Sequence, residues 1–359
     1  MIILSTILLT VQLHIPMAAS KSMPGSLELP SKPTSDGNFY PMLIGNHFKA
    51  VPGLVRGKYI FFKDMILGST ASLKPLSNKA QLDSMNQTAG YGIDGPGSRK
   101  LWKGGLILLE LDNQLPSATL VNLYKAMIVW NEATNIHFAI TKQIENLVAT
   151  GHSELESLLE KRVFVERSKS FQTECASNVG KVSRGQNLII LHELCGYDST
   201  LHELGHTIGL LHEHMRPDRD QYIQVNKENV RLLTGWDDEK INRNFDPKPN
   251  FGETFGTQYD LMSIMHYPER LEGSNLPMFS VANSESMKIG RQEKLSENDI
   301  KTVNSMYPSN TLWVGLNLQG LTDDLKRDLL FLEKPSAPGA NPISSDEPST
   351  ALDSLIIEN

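Results

Sequence analysis

Cysteine, long apolar runs and an excess of positive charge are all scarce in this chain of 359 residues. With only two cysteines, Cys175 and Cys195, the chain can form neither a disulfide-dense scaffold nor a four-cysteine zinc site. No apolar run reaches the roughly 20 residues that a membrane-spanning helix needs. The 34 Lys and Arg residues against 41 Asp and Glu give a net charge of −7, which argues against a nucleic-acid or anionic-membrane partner. The 40% of hydrophobic residues is typical of a globular protein.

Residues 1–19 have the parts of a secretory signal peptide. An apolar run up to Val11 is followed by Pro16 and by small residues at positions 18–20. No Lys or Arg precedes the run, and a buried N-terminal strand or helix is the alternative reading. We therefore expect a secreted, extracellular protein with no stable membrane insertion.

The rest of the chain divides into a long central region and two flanking segments. Residues 20–99 are rich in Ser, Pro, Gly and Asn, and the segment 309–359 is expected to be a flexible tail of low complexity, with one amphipathic stretch at 325–332. Between them, the hydrophobic pattern predicts elements of both types, so the fold class is α+β. The predicted elements are strands at 106–111 and 187–191, helices at 117–133 and 153–161, and a helix that begins at Ser296.

The segment that carries the chemistry reads His202-Glu203-Leu-Gly-His206-Thr-Ile-Gly209-Leu-Leu-His212. Residues four apart on a helix share one face, so His202 and His206 can bind the same metal ion. Gly209 can adopt a positive φ and end the helix, which lets the chain turn back and bring His212 to the metal. Three histidines with one open position describe a catalytic zinc site, and Glu203 lies where its carboxylate can reach a metal-bound water.

The pattern is specific. Given the 10 histidines in the chain, its chance occurrence is about 3 × 10⁻⁵, and an amphipathic helix with ordinary histidines is the alternative. His214 lies off the ligand spacing, and we expect it at the surface or beside the ligands.

These residues resemble the long zinc motif of the metzincins, and the run Glu213 to Tyr222 resembles the astacin family in particular. A second block, Ser263-Ile-Met265-His266-Tyr267, is similar to the astacin Met-turn, and Trp102-x-Gly-Gly105 to the start of the mature domain. The resemblance covers residues 100–308. It implies a two-lobed catalytic domain with a twisted sheet, a central zinc helix and one Zn²⁺ per subunit.

The resemblance also implies further roles. Met265 would be the turn methionine beneath the zinc, and Tyr267 would hydrogen-bond the tetrahedral intermediate. Glu213 would hold the mature N-terminus in an ion pair, and Cys175 and Cys195 match one of two family disulfides.

Two features depart from the family pattern. The second family disulfide would need cysteines near Asn135 and Ser309, and neither position has one. Residues 142–162 resemble an insertion.

Residues 20–99 then have the expected role of an inhibitory propeptide with an uncertain boundary, removed by an activating protease. The family uses an aspartate in a Phe-x-Gly-Asp motif, and the nearest match here is Phe61-Phe-Lys-Asp64, in which Lys replaces Gly. Asp64 is therefore the expected latency switch, with a surface acid as the alternative. Asn86 begins the glycosylation sequon Asn86-Gln-Thr88.

Taken together, the residues predict a secreted, zinc-dependent metalloendopeptidase of the astacin type that is made as a zymogen. We expect a monomer that hydrolyses protein or peptide substrates through a zinc-activated water, with Glu203 as general base. An extended substrate is expected to pair with a strand edge near 177–180. The alternative is a catalytically silent, metzincin-fold zinc-binding interaction protein.

Overall fold

The computed structural model describes most of the central region and parts of both flanking segments. The described residues are 34–44, 47–56, 59–62, 65–69, 75, 99–168, 175–182, 185–247, 254–271, 273–282, 289–290, 293–308 and 316–333. The predicted signal peptide (1–19), Asp64 and Asn86 lie outside them.

Within these ranges the chain forms both strands and helices, which confirms the predicted α+β class. The strands are β1 (Thr34–Ile44), β2 (His47–Arg56), β3 (Tyr59–Phe62), β4 (Met65–Ser69), β5 (Arg99–Lys100), β6 (Leu106–Leu111), β7 (His137–Ile140), β8 (Val163–Arg167), β9 (Ala176–Asn178), β10 (Lys181–Val182), β11 (Asn187–Leu191), β12 (Ile223–Val225) and β13 (Phe279–Val281). The helices are α1 (Ser117–Ala133), α2 (Thr141–Ala149), α3 (Glu156–Leu159), α4 (Tyr197–Ile208), α5 (Lys227–Thr234), α6 (Asp238–Phe245), α7 (Glu297–Met306) and α8 (Leu318–Leu332).

Nine of the described strands form one mixed sheet in the order β1-β2-β3-β4-β9-β11-β8-β6-β7. Strand β6 pairs in parallel with β7 and β8, and β11 pairs in parallel with β8 but antiparallel with β9. Successive side chains of a strand point to opposite faces. Ile107 and Leu109 therefore join the main core with α1 and α4, whereas Leu106 and Leu108 join a second apolar cluster on the other face.

Strands β1 to β4 form an antiparallel meander that extends the sheet beyond β9. Its last strand pairs with β9 in parallel, with Met65 opposite Ser177 and Ile66 opposite Asn178. The Asn178 side chain reinforces this junction, since its Nδ2 donates to the Ile66 carbonyl at 2.6 Å. The sheet edge that was expected to receive substrate is thus covered by an N-terminal segment of the same chain.

The chain after α4 has short elements separated by turns. Helices α5, α6 and α7 are capped at their N-termini by the side chains of Asn226, Asp237 and Ser296, each of which accepts a backbone N–H. At α7 the cap is reciprocal, because Asp299 also accepts from the Ser296 N–H. This confirms the predicted helix start.

The expectation of a flexible tail is wrong for residues 318–332, because α8 packs on the central region. Leu321 and Leu325 are buried, and Asn131 of α1 donates to Thr322 at 3.1 Å. The amphipathic pattern of this helix is buried against α1 and the predicted insertion, so the segment is part of the fold.

The predicted insertion, 142–162, forms most of α2 and all of α3. Ile144 and Leu155 are buried in the cluster that also holds Leu321 of α8. The predicted insertion and the helix that follows the region of resemblance thus share one apolar cluster on this face of the sheet.

The position of the missing second disulfide is bridged by hydrogen bonds. Asn135 donates from Nδ2 to the Tyr307 carbonyl at 2.9 Å, and its backbone N–H donates to Asn304 Oδ1 at 2.8 Å. The other predicted disulfide, Cys175–Cys195, is present with an S–S distance of 2.05 Å.

None of the helices in the described ranges combines the length and the apolar character that crossing a bilayer requires.

Candidate metal centre and active site

Helix α4 places the first two predicted metal ligands. His202 and His206 lie one turn apart on this helix, and both are buried. The helix ends at Gly209, whose φ of 128° is accessible to glycine and strained for other residues. The N–H groups of Gly209 and Leu210 both bond to the Gly205 carbonyl, at 3.1 and 3.0 Å, so the chain reverses directly after the helix.

His212 returns to α4 as the third member of the cluster. Its Nε2 lies 3.2 Å from Nε2 of His202 and 3.1 Å from Nε2 of His206. All three side chains are buried, and their ligand atoms lie within 4.8 Å of one another.

The protonation of two of these rings follows from their partners. Nδ1 of His202 lies 2.8 Å from the Ile264 carbonyl, and Nδ1 of His206 lies 2.8 Å from the Leu210 carbonyl. A carbonyl only accepts, so both Nδ1 atoms carry the hydrogen and both Nε2 atoms present lone pairs. Two nitrogens about 2.0–2.1 Å from one tetrahedral Zn²⁺ would be roughly 3.4 Å apart, close to the spacing seen here. The three histidines therefore fit a zinc ion.

Glu203 lies on α4 directly after the first histidine and is buried, with 2% of its surface exposed. Its backbone carbonyl accepts from the Thr207 hydroxyl at 3.0 Å, which ties this turn of the helix internally. A buried carboxylate on the helix that carries two of the three histidines is suited to exchange a proton with a molecule bound at them.

The predicted Met-turn lies under α4. The Met265 sulfur is so close that a Cβ added to Gly205 would lie 2.5 Å from it, so any side chain at position 205 would require the Met265 side chain to move. Asp299 holds the turn by accepting from Ser263 Oγ at 2.6 Å and from the Ile264 N–H at 2.9 Å. The same turn supplies the Ile264 carbonyl that orients His202.

Tyr267 follows the turn, and its ring packs 4.8 Å from the His212 ring, centroid to centroid. The preceding His266 is buried between the Tyr259 hydroxyl, 2.7 Å from its Nε2, and the Tyr267 carbonyl, 2.6 Å from its Nδ1. Burial, with a contribution from the Arg219 charge, lowers the pKa of His266 to about 4. The imidazole is therefore neutral at physiological pH, and it fixes the backbone beside Tyr267.

Glu213, directly after the third histidine, faces a buried polar cluster. It accepts from the Asp260 N–H at 2.8 Å and pairs with Arg216 at 3.2 Å. Burial raises the pKa of Glu213 to about 8, although the Arg216 guanidinium acts in the opposite direction. A cation placed beside this carboxyl would restore its ionised form.

Two further residues of this region are buried. Arg219 was not recognised from the sequence; it has 3% of its surface exposed and donates to the carbonyls of His214 and Phe245. Of the two positions expected for His214, the one beside the ligands is confirmed and the surface one is wrong, since the residue is fully buried and its ring lies against His212 and Tyr267. A buried Arg and a buried His follow from tertiary contacts, and their spacing along the chain carries no such signal.

Comparison with known proteins gives a family match for the region that holds this site. The model of the peptidase family described as Astacin matches residues 96–308. Nematocyst expressed protein 6 of Nematostella vectensis is 32% identical over 225 residues, which cover 59% of this chain and 67% of that protein. Zinc metalloproteinase nas-14 of Caenorhabditis elegans is 31% identical over 147 residues, 40% of this chain. The chain spans about two thirds of the first relative but only 27% of the second.

A solved structure also aligns with part of this chain. High choriolytic enzyme 1, a hatching enzyme zinc-protease of Oryzias latipes, shares 22% identity with a TM-score of 0.45, covering 59% of this chain and 94% of that one.

Proposed function

Because the chain belongs to the astacin family of zinc-dependent peptidases, we propose that it is a secreted metalloendopeptidase, made as a zymogen, that cleaves protein or peptide substrates. One observation carries the proposal. Helix α4 presents two of three converging imidazoles and the buried carboxylate of Glu203 within five consecutive residues. A purely structural metal site has no need of that carboxylate.

The three histidines would hold one zinc ion per subunit. When bound, the ion would lower the pKa of a water molecule and polarise the carbonyl of the scissile bond. The neutral imidazoles leave the zinc charge uncompensated, which favours both effects.

Glu203 would serve as the general base and then as the general acid. Its carboxylate takes a proton from the attacking water and afterwards delivers it to the nitrogen of the leaving amine. Burial on α4 keeps the carboxylate in one place, so little reorganisation is needed during the reaction.

Tyr267 would stabilise the developing oxyanion through its phenol O–H. Its ring lies against His212, and so a small rotation could direct the hydroxyl toward the reacting carbonyl. Removing one such donor typically costs about 10²–10³ in rate. Met265 would support the site from below by filling the space next to Gly205.

A substrate would pair with β9 through its backbone, as peptides do when they add a strand to a sheet edge. In the full chain β4 pairs with that edge instead. We therefore propose that residues 20–99 are the inhibitory propeptide of a catalytic domain at 100–308. Asp64 directly precedes β4 in the sequence, and we propose it as the carboxylate that occupies the zinc site in the latent form.

Cleavage by an activating protease would free β9 and create a new N-terminus. The ammonium group of that terminus would pair with Glu213, whose pKa burial has raised to about 8. Secretion would follow from the signal peptide at 1–19, and Asn86 would then be available for glycosylation. We propose that the processed enzyme acts as a monomer.

The test is cleavage of an unfolded protein by the full chain, before and after limited trypsin treatment with the trypsin then inhibited. We expect little cleavage before treatment and chelator-sensitive cleavage after it. Glu203→Gln should lose activity by about 10²–10⁴-fold. Glu193→Gln, an exposed carboxylate just before α4, is the matched control and should keep full activity.

Cleavage that resists the chelator, or that survives Glu203→Gln, would overturn the proposal. A folded, trypsin-processed chain that holds zinc but cleaves nothing would favour the silent zinc-binding protein.

A further inference from the structure

His214 is a fully buried ionisable residue that the proposed mechanism does not use. It lies two positions after His212 and has none of its surface exposed. Its neighbours come from distant parts of the chain, the end of helix α6 and the segment after the Met-turn. A buried imidazole needs partners for its polar atoms, so those partners define its role.

The rings of His214, His212 and Tyr267 form a closed triangle. The centroid of His214 lies 4.1 Å from that of Tyr267, with an interplanar angle of 32°, and 5.2 Å from that of His212, at 27°. The third side, from His212 to Tyr267, is 4.8 Å. The distances of 4.8 and 5.2 Å lie within the range of favourable aromatic packing, and the distance of 4.1 Å is slightly shorter. Tyr267 thus packs against two imidazole rings, that of His214 being the nearer and the more nearly parallel.

The position of His214 is itself held from behind. Its Nε2 lies 3.1 Å from the Asn244 carbonyl of α6, which can only accept, so Nε2 carries the hydrogen. Arg219 donates at 3.0 Å to the His214 carbonyl and also to the Phe245 carbonyl. The backbone and the ring of His214 are therefore both tied to the end of α6.

These bonds also exclude the simplest alternative role, that of a metal ligand. Nε2 of His214 is engaged with α6, and the three nitrogens that converge belong to other histidines. The ring of His214 therefore lines the site in a fixed orientation.

We propose that His214 is the positioning residue for Tyr267. The ring of His214, which is hydrogen-bonded to α6, restricts the rotation of the Tyr267 side chain to positions from which its hydroxyl can reach the reacting carbonyl. The proposal rests on the proposed function, in which the Tyr267 hydroxyl stabilises the oxyanion. His214 acts through Tyr267 and touches neither the metal nor the substrate.

Two substitutions separate the ring of His214 from its hydrogen bond. His214→Gln keeps an N–H donor for the Asn244 carbonyl but lacks the flat ring, whereas His214→Phe keeps a ring and lacks the donor. In the trypsin-processed chain we expect His214→Gln to lower kcat by about 10–100-fold, since small misplacements of a catalytic group have effects of this size. KM should change by less than about threefold, and His214→Phe should retain most of kcat.

A double-mutant cycle tests whether the effect passes through Tyr267. We expect Tyr267→Phe to lower kcat by about 10²–10³-fold. Adding His214→Gln to Tyr267→Phe should then cost less than about threefold, because the hydroxyl to be positioned is gone. Additive losses would overturn the proposal, and so would a normal kcat in His214→Gln.

A second measurement, the ¹⁹F spectrum of residue 267, does not depend on peptidase activity and uses the full, unprocessed chain. With 3-fluorotyrosine incorporated, the ¹⁹F resonance of residue 267 is assigned by its loss in Tyr267→Phe. His214→Gln should shift and broaden this resonance, whereas His214→Phe should keep it narrow. Val230→Ala, a buried change on α5 in the cluster that also contacts Tyr267, is the control for general loosening and should leave the resonance in place.

The positioning role of His214 and the proposed function can fail separately. An unchanged ¹⁹F resonance in His214→Gln removes the positioning role, whatever the enzyme does. Absence of chelator-sensitive cleavage in the wild-type chain removes the proposed function, and the positioning of the Tyr267 ring is then still decided by the resonance. If His214→Gln does not fold, the cycle and the spectrum are run with His214→Ala, which also removes the ring. A shifted, broadened resonance and a loss of kcat that is not additive with Tyr267→Phe support the proposal, whereas an unmoved resonance or an additive loss contradicts it.

Discussion

The two halves of the catalytic region are stabilised in different ways. The sheet half, residues 99–209 with α8, buries mainly apolar side chains between regular elements, such as Trp130, Phe138 and Leu325. The irregular half, residues 210–308, has short elements and buries ionisable groups, among them His214, Arg219 and Asp299.

The proposed active site lies at the junction of the halves. His202, Glu203 and His206 come from the last helix of the sheet half, whereas His212 and Tyr267 come from the irregular half. The free energy of unfolding that comes from apolar packing does not depend on pH, whereas the part that comes from buried ionisable groups does. We therefore expect the sheet half to be destabilised by the removal of apolar groups, and the irregular half by a change of pH.

The largest expected effect is in the sheet half. Leu325 of α8 is fully buried, so Leu325→Ala should lower the free energy of unfolding by about 2–5 kcal/mol. Leu330 on the same helix is 65% exposed, and Leu330→Ala should change it by less than about 0.5 kcal/mol. Urea unfolding measures both, and the effect of Leu325→Ala should be equal at pH 7.5 and pH 5. Equal effects of the two substitutions would mean that α8 does not belong to the core.

The next largest effect is the acid sensitivity of the irregular half. The pKa of His266 is about 4 in the folded chain and 6.5 when unperturbed. The unfolded chain therefore binds a proton that the folded chain resists, so stability falls as pH drops from 6.5 to 4. At roughly 1.4 kcal/mol per pKa unit, the loss reaches about 3 kcal/mol.

Glu213 titrates in the opposite sense, because its raised pKa favours the folded chain at low pH. The prediction is therefore a difference between two proteins, measured by urea unfolding across this pH range. His266→Asn should lose the acid-dependent component relative to wild type, whereas Val230→Ala should shift the whole curve by a constant amount. A His266→Asn curve parallel to that of wild type would contradict the burial of a neutral imidazole.

A smaller effect concerns the hydrogen bonds at the position of the missing disulfide. Asn135→Ala removes the bond from Nδ2 to the Tyr307 carbonyl and should cost about 1 kcal/mol. Thermal unfolding at pH 7.5 gives the value. No change would show that α7 is held against β7 by apolar contacts alone.

The smallest effect is expected for the surface ion pairs of α8. Lys326 lies 2.6 Å from Glu132, but both side chains are more than 40% exposed. Exposed pairs contribute little, so Lys326→Ala should leave the unfolding midpoint unchanged within error at low and at high salt. A clear, salt-dependent loss would mean that α8 is docked by charge.

Regular elements of the sheet half were predictable because their hydrophobic pattern is local. The predicted helix at 117–133 has the bounds of α1, and the predicted strands at 106–111 and 187–191 are β6 and β11. The meander β1 to β4 was not predicted, because residues 20–99 are rich in Ser, Pro, Gly and Asn, a composition more typical of loops than of strands. Its strands pair with their neighbours along the chain, and only β4 pairs with a distant strand, β9.

The metal site could be predicted from the sequence because its first two histidines are spaced by about one helical turn. The two histidines four residues apart on a helix predicted a shared metal site. The glycine after them predicted that the chain turns back and brings His212 to that site. The contact between His214 and Tyr267 joins residues more than 50 positions apart, and no local pattern contains it. Helix α8 was missed because the composition around it is typical of a tail, whereas its apolar face packs against α1 and β7, which are distant in the chain.

The central claim is that three histidines bind one zinc ion and that Glu203 uses it for peptide hydrolysis. The most direct test is titration of the metal-free, trypsin-processed chain with zinc, followed by both zinc content and cleavage of an unfolded protein. We predict that cleavage rises to a plateau at one zinc per chain, and that Glu203→Gln binds the same zinc without cleavage. Full zinc binding with no cleavage in the wild-type chain, or equal cleavage in Glu203→Gln, would contradict the account.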